Sequence, residues 1–457
     1  MSTQEFPPRG SGIVGRPEAP PSAIWGHPHQ LGASWNWKPG RVLLGSWQGR
    51  LIGRDDDRHI ITIAGSRAGK SKTVLIPNLK RYPGSCIVLD PKGELARATA
   101  RDRIAMGQQV FILDPFGEVL EKGASHNPFN ELGFGKASHV AADAAQMADA
   151  MVIGNERDPH WTDSGKNLIR GIILHLKTTT RHVTMRDVRK LLSGTPPEHE
   201  ALFTAMTESP AFDGVVANIG ASFLGKLHAG GKELQSILST VQEQTAPFDD
   251  VVGIMDRSDF RLTDLAQGKM TIYLVLPGMR IGTHFRWLRL VIQQALMAME
   301  RSPVPYSKLP VWFVLEEFAA LGHLRPIATA AGLMAGFGVK LWPVLQDLTQ
   351  LKTNYSKVWE TFLGNAGIIQ AFGNVDQTTT EHLSKMLGNC SVVERQDVRV
   401  SGAAMAHGDD GRREHIRHVR LLDPNEITQQ FARETNRQMV LMPGRPPIYM
   451  KRLGFNE

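Results

Sequence analysis

The chain has 457 residues, 42% hydrophobic and 21% charged, with a net charge of +7 and an isoelectric point of about 9.4. Such a length excludes a small stapled scaffold and allows roughly two to four domains around a large core. Two distant cysteines (Cys86 and Cys390) exclude a disulfide framework and suit the cytoplasm, no apolar run approaches the ~18 residues of a membrane span, and mild basicity permits nucleic-acid or acidic partners without demanding them.

Residues 1–22 hold five prolines, three glycines and few apolar side chains, which predicts a disordered leader and no secretion signal. His27 and His29 are spaced like ligands, but no cysteine or acid cluster completes a metal site. The most informative stretch follows at 60–71: Ile-Ile-Thr-Ile-Ala-Gly-Ser-Arg-Ala-Gly-Lys-Ser. An apolar strand, a small-residue loop and Gly69-Lys70-Ser71 match G-x-x-x-x-G-K-[ST], with Ala64 in place of the first glycine. The pattern predicts a phosphate-binding loop made of Gly65, Ser66, Arg67, Ala68, Gly69, Lys70, Ser71 and Lys72. Gly65 and Gly69 let backbone N–H groups close around a polyphosphate. Lys70 would reach the β/γ-phosphates, Ser71 would ligate Mg²⁺, and the helix starting near Gly69 would aim its positive end at the same anion. The plainer alternative is a Gly/Ser turn with a surface lysine.

Ser85–Asp90 and Val110–Asp114 are β-rich runs flanking the helical composition of Glu94–Met106. This β-α-β-α-β order predicts an α/β domain with a mostly parallel central sheet, whose ligands bind at the carboxyl ends of strands. Asp90 and Asp114 fall at such ends. From about His139 to Asp250 the pattern turns helical: Leu168, Ile169, Ile172, Ile173 and Leu176 recur at helical spacing, Thr184 is a candidate N-cap for Met185–Leu192, and Ser236–Gln244 is a further helix. His160-Trp161 opens the first long helix. Strands resume at Met270–Leu276, Val311–Leu315, Val339–Leu345, Gly367–Phe372, Gln438–Leu441 and Ile448–Lys451, and residues 401–413 read as a flexible loop.

The strand Val311–Leu315 ends in Glu316-Glu317. A nucleotide hydrolase needs acids there, one to hold Mg²⁺ through water and the next to orient or deprotonate the attacking water. Two solvated acids at a strand end are the plainer reading.

Several further motifs stand in fixed order: Val74-Leu75-Ile76-Pro77-Asn78-Leu79, Leu89-Asp90-Pro91-Lys92-Gly93-Glu94, Asn127-Pro128-Phe129-Asn130, Ser236-Ile237-Leu238-Ser239-Thr240, Glu316-Glu317-Phe318-Ala319-Ala320-Leu321-Gly322, Met334-Ala335-Gly336-Phe337-Gly338-Val339-Lys340, Leu345-Gln346-Asp347-Leu348-Thr349-Gln350-Leu351 and, within Gln370–Gly388, Thr378-Thr379-Thr380 and Leu383-Ser384-Lys385-Met386-Leu387-Gly388. Together they resemble the TraG/VirD-type coupling ATPases of bacterial conjugation and type IV secretion, from about Trp25 to Lys451.

The resemblance implies a RecA/FtsK-like P-loop NTPase interrupted by an all-α domain. It divides the chain into a leader (1–22), a first nucleotide-binding part (23–138), an all-α insertion (139–255) and a second nucleotide-binding part (256–457). It implies ATP and Mg²⁺ as cofactors and a homohexamer that passes DNA, or a relaxase–DNA or secreted protein cargo, toward a type IV secretion channel with its ATPases and inner-membrane components. Lys70 and Ser71 would bind phosphates and Mg²⁺, Glu316 would take the metal-side acid position, Glu317 the water-activating one, and Gln346 would sense the γ-phosphate. Two departures stand out. The family usually has Asp-Glu where this chain has Glu316-Glu317, so hydrolysis could be slow or Asp90 could share metal duty. Family members usually carry two membrane helices before the nucleotide domain, and none is present; the chain would be cytoplasmic, peripheral to the inner membrane through partners, or a soluble piece.

For a DNA substrate two basic clusters are candidates, Arg412, Arg413, Arg417 and Arg420 with His415 and His418, and Lys226, His228 and Lys232, each with a solvated surface as the plainer reading. Besides a DNA-translocating motor, a low-turnover receptor for secreted protein or nucleoprotein cargo and a cellular FtsK/HerA-like DNA pump remain as alternatives.

Overall fold

A computed structural model describes residues 23–26, 31–133, 137–154, 159–302, 308–356, 358–397 and 412–454. The leader at 1–22, His27 and His29 lie outside the described residues. So does most of the 401–413 loop, but Arg412 and Arg413 belong to a strand, which corrects the loop reading there.

In chain order the strands are β1 (Val42–Trp47), β2 (Arg50–Arg54), β3 (His59–Ala64), β4 (Cys86–Asp90), β5 (Gln109–Leu113), β6 (Met270–Val275), β7 (Val311–Leu315), β8 (Val339–Leu345), β9 (Ala366–Phe372), β10 (Asn389–Asp397), β11 (Arg412–Arg420), β12 (Arg437–Leu441) and β13 (Ile448–Lys451). The chain forms two compact units, Met1–Tyr82 with Val344–Glu457, and Pro83–Pro343.

In the first unit β3 lies parallel to β9 and to Val344–Leu345. Beyond β9 the order β12, β13, β1, β2 continues in antiparallel pairs. β10 and β11 form a separate antiparallel ribbon. In the second unit β5, β6, β4, β7 and Val339–Pro343 of β8 are parallel throughout. Every residue of β3, β4, β6, β7, β8 and β9 is buried. Burial on both faces explains why these strands read as unbroken apolar runs rather than alternating ones.

Between β5 and β6 the described residues are helical: Val140–Met151, Pro159–Thr179, Met185–Leu192, Pro196–Thr207, Val215–His228 and Lys232–Thr245 are the main segments. Leu168, Ile169, Ile172, Ile173 and Leu176 are all buried. Thr184 caps Met185–Leu192, its backbone N–H and hydroxyl both donating to Asp187 Oδ2, at 2.8 and 2.7 Å. Gly220 sits where helices nearly touch: a Cβ there would lie 2.6 Å from Met206 Cβ and 2.9 Å from the Phe203 carbonyl oxygen.

Candidate nucleotide-binding site

The phosphate loop belongs to the first unit. β3 delivers the chain to it, and Ala64 still lies in the ladder opposite Phe372, wholly buried. An extended residue needs no glycine. The steric demand falls one position later. A Cβ on Gly65 would sit 1.9 Å from the Gly373 carbonyl oxygen, and the Gly65 N–H donates to the Phe372 carbonyl at 3.2 Å. Ala68 N–H closes back on the Gly65 carbonyl at 3.1 Å. Arg67 (φ +56°) and Gly69 (φ +89°) carry the left-handed turns. The helical run begins at once: Gly69 O accepts from Thr73 N–H at 2.8 Å and Thr73 Oγ1 at 3.0 Å. Its opening, Ser71–Leu75, is a wide i→i+5 turn that continues into Ile76–Leu79. Lys70 and Ser71 are half-buried at this N-terminus; Ser66, Arg67 and Lys72 are exposed.

Gln346 joins the same neighbourhood. The pairings Thr62↔Val344 and Ile63↔Leu345 bring it to the strand end beside Ala64. Its N–H donates to Gln350 Oε1 at 3.0 Å, and its carbonyl accepts from Asn374 Nδ2 at 3.2 Å. Asp347 then caps Leu348–Tyr355 by accepting from Gln350 N–H at 3.0 Å.

Three residues that the motif reading passed over shape this site. Gly373 (φ +64°) packs under Gly65, and a Cβ on it would meet Ala68 Cβ at 2.6 Å. Asn374 is buried. Arg452, only 3% exposed, donates through Nη1 to the Ala68 carbonyl and through Nη2 to the Arg433 carbonyl at 2.9 Å. Gly373 and Asn374 lay inside the recognised Gln370–Gly388 stretch without a role; Arg452 had no sequence signal, because only folding brings β13 to the loop.

In the second unit the pairing Leu89↔Leu315 sets Asp90 and Glu316 side by side at parallel strand ends. Asp90 is fully buried, and its Oδ2 accepts from Ala96 N–H at 2.7 Å, anchoring the Glu94–Ala105 helix. Burial lifts its carboxyl to about 6 against the pull of the Ala96, Leu95 and Lys92 N–H groups, with Glu94 adding to the rise. Glu316 is 8% exposed. Glu317 is half-buried with φ +55°, a left-handed conformation that costs a non-glycine residue on the order of 1–3 kcal/mol. Such strain concentrates at functional positions. Asp114, at the end of β5, is occupied holding its own loop, accepting from the N–H groups of Glu118, Val119 and Leu120.

The basic clusters are partly neutralised. Lys226 pairs with Glu233, Arg417 with Glu394 at 3.2 Å and Arg420 with Glu381 at 3.1 Å, and His228 Nε2 lies within hydrogen-bond distance of Glu200 Oε1, at 3.3 Å.

A family model for type IV secretory system conjugative DNA transfer matches residues 29–456. The chain belongs to this family. Among curated relatives it is 26% identical to protein VirD4 of Rhizobium radiobacter over 428 residues, covering 90% of this chain and 58% of that protein. It is also 26% identical to the conjugal transfer protein TraG of Escherichia coli over 449 residues, covering 90% and 70%. The chain spans about three-fifths of the length of the VirD4 relatives it matches. Two solved structures share its fold. The bacterial conjugative coupling protein TrwBdeltaN70, in complex with sulphate, aligns with TM-score 0.73 at 18% identity over 98% of this chain and 96% of that one. TrwB in complex with the non-hydrolysable ATP analogue ADPNP aligns with TM-score 0.71 at 18% identity, covering 97% and 96%. The coupling-family chain is therefore a RecA/FtsK-like P-loop fold. Among its described residues no helix is long and apolar enough to cross a membrane, and no cluster of three or more His, Cys, Asp or Glu is arranged to hold a metal.

Proposed function

We propose that this coupling-family protein binds ATP with Mg²⁺ and uses hydrolysis to recruit and move DNA, or a relaxase–DNA substrate, to a type IV secretion channel. The observation that carries the reading is the phosphate loop: strand, left-handed turns at Arg67 and Gly69, and an immediate helix N-terminus, in a chain matched over residues 29–456 by the conjugative transfer family. The solved TrwB complexes with ADPNP and with ADP and Mg²⁺ support the choice of ligand. Ser71 and Glu316 offer oxygen donors, the class Mg²⁺ takes.

In this reading Lys70 and the N–H groups of 65–71 bind the phosphates, and Ser71 ligates the metal. Glu316 holds the metal side, Glu317 orients the attacking water, and Gln346 responds to the γ-phosphate. Residues 139–255 act as a helical insertion domain. The protein works as a homohexamer beside the inner membrane, held there by channel ATPases and membrane components, and grips DNA through its phosphates, so binding weakens with salt.

The test is ATP hydrolysis by the purified protein with and without single- and double-stranded DNA, beside Lys70→Ala. DNA-stimulated turnover that Lys70→Ala abolishes supports the motor. ATP binding without turnover, with or without DNA, overturns it in favour of a low-turnover receptor for protein or nucleoprotein cargo.

A further inference from the structure

Arg452 is a buried guanidinium with no carboxylate among its described partners. It rests on the Phe372 ring with Cζ 4.4 Å from the centroid, and donates to the carbonyls of Ala68 and Arg433. Its Nε has no partner among the described residues. Asn436 fixes its backbone: Arg452 N–H donates to the Asn436 carbonyl at 2.8 Å, and Asn436 Nδ2 to the Arg452 carbonyl at 3.3 Å. A buried cation without a counter-charge is costly, and here burial alone lowers its pKa to about 10. A residue kept at that cost calls for a reason.

The loop supplies it. In a trans peptide the carbonyl and the following N–H point in opposite directions, and no described peptide is cis. By accepting from Arg452, the Ala68 carbonyl is drawn to the guanidinium side, so the Gly69 N–H is aimed the other way. That N–H has no acceptor among the described residues. Nη1 also lies 3.6 Å from where a Gly69 Cβ would stand, so the positive charge sits directly behind the loop.

We propose that Arg452 is a positioning residue of the phosphate loop: it turns the Ala68–Gly69 peptide so that the Gly69 N–H faces a bound polyphosphate, and backs that N–H with a fixed positive charge. The inference rests on the nucleotide reading above and adds to it a coupling of β13 to the loop. An arriving polyphosphate supplies the missing counter-charge, so the arginine acts on phosphate affinity more than on the hydrolytic step.

The experiment measures affinity for a fluorescent ADP analogue and its displacement by inorganic tripolyphosphate, with KM and kcat for ATP, in the full chain, Arg452→Gln, Arg452→Lys and Lys70→Ala, each checked by thermal unfolding. Arg452→Gln is expected to weaken tripolyphosphate and nucleotide by the same factor, about tenfold or more, and to raise KM more than it lowers kcat. Arg452→Lys, which keeps the charge and loses the forked donation, should recover part of the affinity. Folded Arg452→Gln with unchanged tripolyphosphate affinity overturns the proposal. If Arg452→Gln does not fold, Arg452→Lys decides: intermediate affinity supports the role, wild-type affinity overturns it. Failure of the unmodified chain to bind either probe overturns the nucleotide reading itself, a distinct result.

Discussion

Gly65 concentrates the steric demand of the loop. Its missing Cβ leaves room for a backbone oxygen, which cannot rotate away as a side chain could. Gly65→Ala must therefore push the loop or the Gly373 turn by an ångström or more. A displacement of about 1 Å in a positioning element costs on the order of 100-fold in rate. Gly65→Ala is expected to abolish nearly all ATP turnover, whereas Ala64→Gly should keep it and lose only about 0.5–1 kcal/mol of stability from a glycine inside a strand. Steady-state kinetics and chemical denaturation of the two variants check the contrast; equal turnover in both would place the demand elsewhere.

At the level of elements, legibility followed burial. The fully buried β7 and β8 match their sequence-read bounds and β3, β4, β6 and β9 come within a residue of theirs; β13 matches too, although its Lys451 is exposed. The hairpin β1–β2 was not legible. Gly45 and Gly53 interrupt its pattern, and both are required: a Cβ on Gly45 would lie 2.3 Å from the Lys451 carbonyl oxygen, and one on Gly53 2.6 Å from Trp37 Cδ1. The ribbon β10–β11 was missed for the opposite reason. Its outer half pairs Glu394 with His415 and Arg395 with Glu414, so no apolar alternation marks it. Of the candidate site, Gly373 and Asn374 fell inside a motif stretch that gave them no role, and Arg452 had no signal at all, since its role depends on a contact 384 positions away in sequence. Among the helices, Gly220 supports a specific expectation. Gly220→Ala drives a methyl group against Met206 and the Phe203 backbone, and overpacking of this kind costs about 1–3 kcal/mol. Urea unfolding should show that loss, while an intrinsic gain in helix propensity without it would mean the helices part easily.

Stability across the second unit carries two opposed acid responses. His126 is buried, stacked on Phe260 with centroids 5.3 Å apart, and burial lowers its pKa from 6.5 to about 4. Its contribution is complete above pH 6.5 and is lost as pH falls through 4. Asp90 runs the other way: raised from 3.8 to about 6, it contributes fully below pH 3.8 and loses that contribution as pH rises through 6. Buried Glu131, also raised by burial, adds to the second trend. Each of the two larger effects amounts to about 3 kcal/mol, so between pH 4 and 6.5 they nearly cancel. Denaturant midpoints of the unmodified protein should vary little over that window. Asp90→Asn should unmask a fall in stability toward pH 4, and His126→Gln a rise. Parallel slopes in both variants would contradict this assignment.

The ladder position of Ala64 reaches beyond this molecule. In this chain the first letter asks only for a small extended residue, whereas the second has no room for a side chain and the sixth takes a positive φ. A pattern filter built on the strict spelling discards this chain, and with it any other that ends its strand in alanine. Rewriting that letter as "small and extended" would recover such chains while keeping the two positions that geometry enforces.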